Sequence, residues 1–223
     1  MKRIVPCAAL AVLAACAGCI SVEIETRADR AGGGTRSYAV TLEQSLAKTY
    51  QSATAAGQLF RLPGDDLVDK PGVALLSRAQ QPDSGGALVV RSSFRAARLT
   101  DAATATDSVQ YAVERRGWWV WYRYREHYLG SDIDSTRIAS SYGERYRFRH
   151  VLRLPGRLVA SDADSVAGGE IIWSRPMGQV RERGLVMTAD SREPDLLACA
   201  VLLLGLLAVA LLGAAPRWRR AEG

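Results

Sequence analysis

Residues 118–129 read WWVWYRYREHYL and residues 142–154 read YGERYRFRHVLRL. Both alternate with a period of two, the spacing of a strand that turns one face to a core and the other to solvent. In the first, Val120, Tyr122 and Tyr124 oppose Trp121, Arg123 and Arg125. In the second, Tyr146, Phe148, His150 and Leu152 oppose Arg145, Arg147, Arg149 and Arg153. A polar connection rich in Ser and Asp, residues 130–141, separates them. These segments make β-sheet the organising element of the chain.

The pattern extends in both directions. Residues 21–26 (SVEIET) place Val22 and Ile24 on one face, residues 30–35 (RAGGGT) have turn chemistry, and residues 37–42 (SYAVTL) resume the alternation. This predicts a β-hairpin. Thr41 is placed to cap a helix in which Leu42, Leu46 and Tyr50 recur at helical spacing, with Gly57 as its stop. Residues 75–78 and 87–94 read as strands around a PDSGG turn, and residues 102–108 are ambiguous. Further on, residues 158–160, a Gly168–Gly169 turn, residues 170–173 and residues 185–189 supply another hairpin and a closing strand. Adjacent glycines suit a tight turn that needs positive φ at both central positions. About eight strands with one or two helices predict an α+β domain with a curved, twisted antiparallel sheet, over residues 16–194.

The two ends differ from this middle. Met1-Lys2-Arg3 followed by an apolar run to Ala15 has the form of a signal peptide, residues 1–15. It runs into Leu13-Ala14-Ala15-Cys16, a lipobox pattern in which Cys16 would carry diacylglycerol; Ala17-Gly18-Cys19 offers Cys19 as a second candidate. An ordinary cleaved signal or an uncleaved anchor is the alternative. The four cysteines are Cys7, Cys16, Cys19 and Cys199, so residues 20–198 hold neither a disulfide nor a cysteine metal site. Residues 196–215 (LLACAVLLLGLLAVALLGAA) carry no charge. At about 1.5 Å per residue they cover roughly 30 Å, the thickness of a hydrocarbon core, so residues 195–215 are expected to cross a bilayer. Arg217, Trp218, Arg219 and Arg220 follow, which marks residues 216–223 as a cytoplasmic tail. The expected location is a bacterial inner membrane, with the globular domain on the extracytoplasmic side.

The chain has 223 residues, 48% of them hydrophobic, and a net charge of +6. With its apolar blocks confined to the ends, this composition excludes a disordered chain, a disulfide scaffold, a multi-span transporter and a repeat array.

A Cys followed by V-x-I alternation, a Gly-rich turn and a second strand, here Cys19 to Leu42, resembles the start of the LppM-like bacterial lipoproteins, the DUF3153 group. Leu154-Pro155-Gly156, Val159, Ser161, Val166, Gly168, Trp173 and residues 185–191 are similar to that family's ending, as is an apolar C-terminal segment with a short basic tail. The resemblance places the anchoring residue at Cys19. It implies a lipid-binding domain with a curved sheet and no enzymatic role, and it brings no catalytic residues.

Between Arg115 and Arg157 ten arginines stand against Glu126, Asp132, Asp134 and Glu144. If the two long strands pair, Arg123 and Arg125 share a face with Arg145, Arg147 and Arg149. Arg suits phosphate because its planar fork gives two parallel hydrogen bonds, so this face is the candidate site for anionic lipid headgroups. A solvated face paired with neighbouring acids is the alternative. Trp118, Trp119, Trp121, Tyr122, Tyr124 and Tyr128 form the densest aromatic cluster, fit for a lipid-tail cavity, an interface or plain packing. His127 and His150 lack the partners of a dyad or metal site, and no H-x-x-H, H-E-x-x-H or G-x-S-x-G occurs. Asp132 with Asp134 and Asp162 with Asp164 form only D-x-D pairs, weak grounds for calcium. The expectation is a non-enzymatic lipoprotein without cofactor or metal. Its partners are membrane lipids and, in a second reading, an envelope protein, with nucleic acid excluded by location.

Overall fold

The computed structural model describes residues 20–56, 62–83, 85–128 and 146–218, with side chains of the last helix to Leu211. Eleven strands are present among them: β1 (Ile20–Ala28), β2 (Gly34–Leu42), β3 (Val73–Pro82), β4 (Leu88–Ala96), β5 (Asp107–Arg116), β6 (Trp119–Tyr128), β7 (Arg147–Arg153), β8 (Arg157–Ser161), β9 (Ser165–Ala167), β10 (Glu170–Pro176) and β11 (Leu185–Pro194). The helices are α1 (Gln44–Ala55), α2 (Met177–Arg183) and α3 (Leu196–Trp218). The fold is α+β, as the alternation predicts, but it is built from two sheets. One has seven strands in the order β3-β4-β2-β1-β7-β10-β9, and the other four in the order β5-β6-β11-β8. The larger is mixed, because β1 and β7 run parallel.

The expected hairpins form. β1 and β2 pair antiparallel around the glycine turn, Val22 opposite Val40 and Ile24 opposite Tyr38. The β9–β10 turn uses Gly168 and Gly169 at φ +59° and +82°, where a side chain is disfavoured. α1 starts later than expected. Thr41 belongs to β2, Glu43 takes the N-cap position, and Leu42 is a core residue of the strand. The β-branched Thr and the alternating run extend the strand by two residues at the expense of the helix. Residues 102–108 divide between a short 3-10 turn (Leu99–Ala102) and the start of β5.

One face of the seven-stranded sheet carries the whole core. Its alternating residues (Val22 and Ile24 on β1, Tyr38 on β2, Phe94 on β4, Phe148 and Leu152 on β7) meet Tyr124 and Tyr128 of β6 and Met187 and Ala189 of β11. The four-stranded sheet therefore covers one end of the large one. α1 covers the other, where Leu46, Ala47 and Tyr50 pack on Val40, Leu42, Leu88 and Val90. Burying about 25 cal/mol per Å² of apolar surface along both patches drives the closure.

α3 follows β11 after a single residue, Asp195, whose carboxylate accepts from the backbone N–H groups of Leu197 and Ala198. It has no polar face: Leu196, Leu197, Val201, Leu203, Leu204, Leu206, Leu207, Val209 and Leu211 are all exposed. Among the described residues no helix is long and apolar enough to cross a membrane. The spanning segment expected over residues 195–215 is thus carried by its sequence alone.

Candidate functional site

The two strands expected to bring Arg123 and Arg125 onto one face with Arg145, Arg147 and Arg149 do not pair. β6 lies in the small sheet and β7 in the large one, and their inward sides meet. The Tyr124 ring stands 6.1 Å from the His150 ring, and Tyr128 stands 4.9 Å from Phe148. Residues on the opposite sides of these strands therefore face away from each other, Arg123 and Arg125 on one outer surface and Arg147 and Arg149 on the other. Arg145 lies outside the described residues, as do Cys16 and Cys19. Arg149 pairs with Glu23, directly opposite it on β1. Arg123 reaches Glu114 at 3.6 Å, and Arg125 shares a shallow groove with Asp162 and Asp190. Like charges facing one another are unfavourable, and the fold separates them.

A different set of charges converges in the interior. Arg36 of β2 donates from Nη2 to Asp107 Oδ2 at 2.9 Å and to Glu126 Oε1 at 2.6 Å. Glu126 Oε2 accepts from the Tyr124 hydroxyl and lies 3.3 Å from His150 Nδ1. That nitrogen is also 3.2 Å from Met187 Sδ, while His150 Nε2 lies 3.0 Å from the Thr26 hydroxyl. Asp107 Oδ1 accepts from the Thr104 N–H at 2.7 Å. The side chains of Arg36, Asp107, Glu126 and His150 are at most 1% exposed. The network draws on β1, β2, β5, β6, β7 and β11, so it ties both sheets together.

Burial governs its electrostatics. Desolvation pushes the His150 imidazole well below the ordinary histidine range, and the neighbouring Arg36 guanidinium adds to this, so the ring is neutral near pH 7. Desolvation opposes the charge on Arg36, but Glu126, Tyr38 and Asp107 more than offset it and hold the guanidinium protonated. Burial raises the Asp107 carboxyl, against the pull of Arg36. Arg36 Nε and Nη1 find no hydrogen-bond partner among the described atoms, and the guanidinium lies 5.3 Å from the Tyr38 ring centroid. The cluster is enclosed between the two sheets, where its charges are paired with one another. Its signal is present in the sequence: Arg36 and Glu126 occupy inward positions of strands that are otherwise apolar or aromatic there.

The aromatic cluster divides. Tyr122, Tyr124 and Tyr128 point into the core, whereas Trp118 and Trp119, at the β5–β6 turn, are 50% and 37% exposed. This turn lies against the start of α3: the Asp195 N–H donates to the Trp118 carbonyl at 2.8 Å, and Arg115 approaches Asp195 at 3.6 Å. The Arg192 guanidinium stacks over Trp119 at 4.5 Å and Trp121 at 5.4 Å. Arg30 grips Glu193 through Nε and Nη2, both at 2.8 Å, and Glu193 also accepts from the Tyr122 hydroxyl at 2.6 Å. The hydrogen bond from Arg30 holds the Glu193 carboxyl below its usual range; partial burial and this same carboxylate push Tyr122 up to about 12. Between them opens a groove of about 400 Å³, lined by Arg30, Val113, Arg115, Tyr122, Glu193 and Leu196 among others. Arginines and tryptophans thus gather around the base of the apolar helix α3.

Asp162 and Asp164 serve the fold. Asp162 Oδ1 accepts from Trp173 Nε1 at 2.9 Å and from the Thr188 N–H at 2.8 Å; Asp164 accepts from the Ser174 N–H and pairs with Arg175. Asp132 and Asp134 lie outside the described residues. Among the described residues no group of three His, Cys, Asp or Glu is placed to hold a metal ion. His127 is exposed on the outer side of β6. The turn at residues 32–34 forms the β1–β2 connection, where Asp29 Oδ1 accepts from the Gly33 N–H at 2.8 Å.

No protein-family model matches the chain, and no curated protein matches it. Among solved structures it is similar to the NMR structure of the folded domain of the Mycobacterium tuberculosis LppM protein, at 16% identity. The match covers 79% of this chain and 91% of that one with a TM-score of 0.44, a likeness too distant to carry an activity across.

Proposed function

We propose that this protein is a membrane-tethered, extracytoplasmic bacterial lipoprotein, non-enzymatic, whose domain binds lipid or a lipid-like envelope component. The observation that carries the reading is α3: the large aliphatic residues from Leu196 to Leu211 are 43–79% exposed and no charge interrupts them. An apolar surface of that size and form needs a hydrocarbon environment or a partner. In this reading residues 195–215 cross the inner membrane, Arg217, Arg219 and Arg220 stay on the cytoplasmic side, and a lipid on Cys16 or Cys19 supplies a second attachment. Two attachments, one of them a spanning helix, make the association effectively permanent.

A second reading, docking of a neighbouring envelope protein without a bound ligand, draws on the edge of the large sheet. β3 has ten residues, nine of them exposed, with Leu75 and Leu76 among them. Such an edge offers unpaired backbone groups to an incoming strand. Alkaline extraction of membranes tests the attachment, and release of the chain into the soluble fraction would reject it. Native mass spectrometry of the chain released from mild detergent separates the two readings: co-purified lipid supports the first, and an empty domain that retains a protein supports the second.

A further inference from the structure

We infer that the β5–β6 turn is a membrane seat, with Trp118 and Trp119 lodged in the headgroup layer of the bilayer that α3 enters. The inference rests on the spanning role proposed for α3 and extends it to the folded domain. The hydrogen bond from the Asp195 N–H to the Trp118 carbonyl places the exposed indoles beside the first turn of α3. A helix that enters hydrocarbon near Leu196 therefore holds residues 117–119 at the boundary.

The residue types fit that depth. Indole rings concentrate where an apolar body and a polar N–H can both be satisfied, at the level of the headgroups. Arg30, Arg115, Arg116, Arg157 and Arg192 surround the turn, against Glu114, Glu193 and Asp195. Long arginine stems lie along apolar surface while the guanidinium reaches phosphate, and the Arg192 guanidinium already lies over the Trp119 ring, 4.5 Å from its centroid. The remaining large exposed hydrophobic residues of the domain, such as Leu75, Leu76, Val159 and Val166, are aliphatic. At the tip of the turn, a Cβ added at Gly117 would meet no described atom within 4 Å.

The occupant is the phospholipid headgroup layer, with a preference for anionic phosphate set by the basic excess. The test uses the full chain reconstituted in phosphatidylcholine vesicles, with and without phosphatidylglycerol, and lipids brominated near the top of the acyl chain. Tryptophan emission is compared for the wild type, Trp118→Phe with Trp119→Phe, Trp218→Phe, and Trp121→Phe as a control for folding. Loss of Trp118 and Trp119 should cut the quenched emission at least about twofold, with a larger effect in phosphatidylglycerol. If the chain resists alkaline extraction but the double variant is quenched like the wild type, the seat is wrong and the anchor stands. If alkali releases the chain and Trp218→Phe changes nothing, the anchor fails and the seat falls with it.

Discussion

Arg36 and Arg149 sit on neighbours of the same strand, β2 and β7 on either side of β1, yet they live in opposite worlds. Arg36 points inward, fully buried, and holds two carboxylates; Arg149 points outward, 41% exposed, and meets Glu23. Water screens the outer pair and leaves the inner one to the protein. An ion pair's worth is set by where its strand puts it, and a count of arginines says nothing about that. Among the described residues the outer arginines therefore weigh less on stability than Arg36.

Removing Arg36 should break this contrast most visibly. Arg36→Met leaves Asp107 and Glu126 buried without their cation and should cost about 3–5 kcal/mol in denaturant unfolding of the chain in mild detergent. A loss as small as that of a surface residue would mean the interior admits water. Adding Asp107→Asn and Glu126→Gln should restore most of it, because a neutral cluster needs no counter-charge.

The pH dependence sharpens the comparison at intermediate size. His150 has a folded pKa depressed below 6.5, so the unfolded chain binds the extra proton first. Its stabilising contribution is full above about pH 6.5 and is lost as pH falls, by at most about 1.4 kcal/mol per unit. The stability advantage of the wild type over His150→Gln should shrink accordingly in acid. Asp107 works in the opposite sense: its raised value contributes stability at low pH that is lost as pH rises through the folded pKa. Asp107→Asn separates the two, and a wild-type advantage over His150→Gln that is flat below pH 6.5 would show that His150 is not desolvated. The outer pair gives the smallest effect: a double-mutant cycle of Arg149→Gln and Glu23→Gln should yield a coupling below about 1 kcal/mol, falling with added salt.

The faces of the strands were legible and their partners were not. Tyr122, Tyr124, Phe148, His150 and Leu152 are inward as alternation requires, and the β1–β2 and β9–β10 hairpins follow from glycine turns. Their matching alternation suggests that β6 and β7 could pair, but they do not. β7 joins β1, more than a hundred residues away in sequence, and β6 joins β5 and β11. Without that pairing Arg123 and Arg125 do not share a sheet face with Arg147 and Arg149. The β5–β6 turn is legible only in part: Trp118 and Trp119 stand out in the sequence, but the contact of Trp118 with Asp195 joins positions 77 residues apart.

Alternation is written in each strand because successive side chains point to opposite sides of the backbone, and the absence of charge over residues 196–215 is read directly from the chain. Those properties are local, and the sequence determined them unaided: strand faces, tight turns and the apolar character of residues 196–215. Only the tertiary structure decided that two sheets close on one core, that β1 and β7 run parallel, and that Arg36 meets Asp107 and Glu126. Each depends on which surfaces bury one another at long range, a balance over the whole chain that no single segment contains.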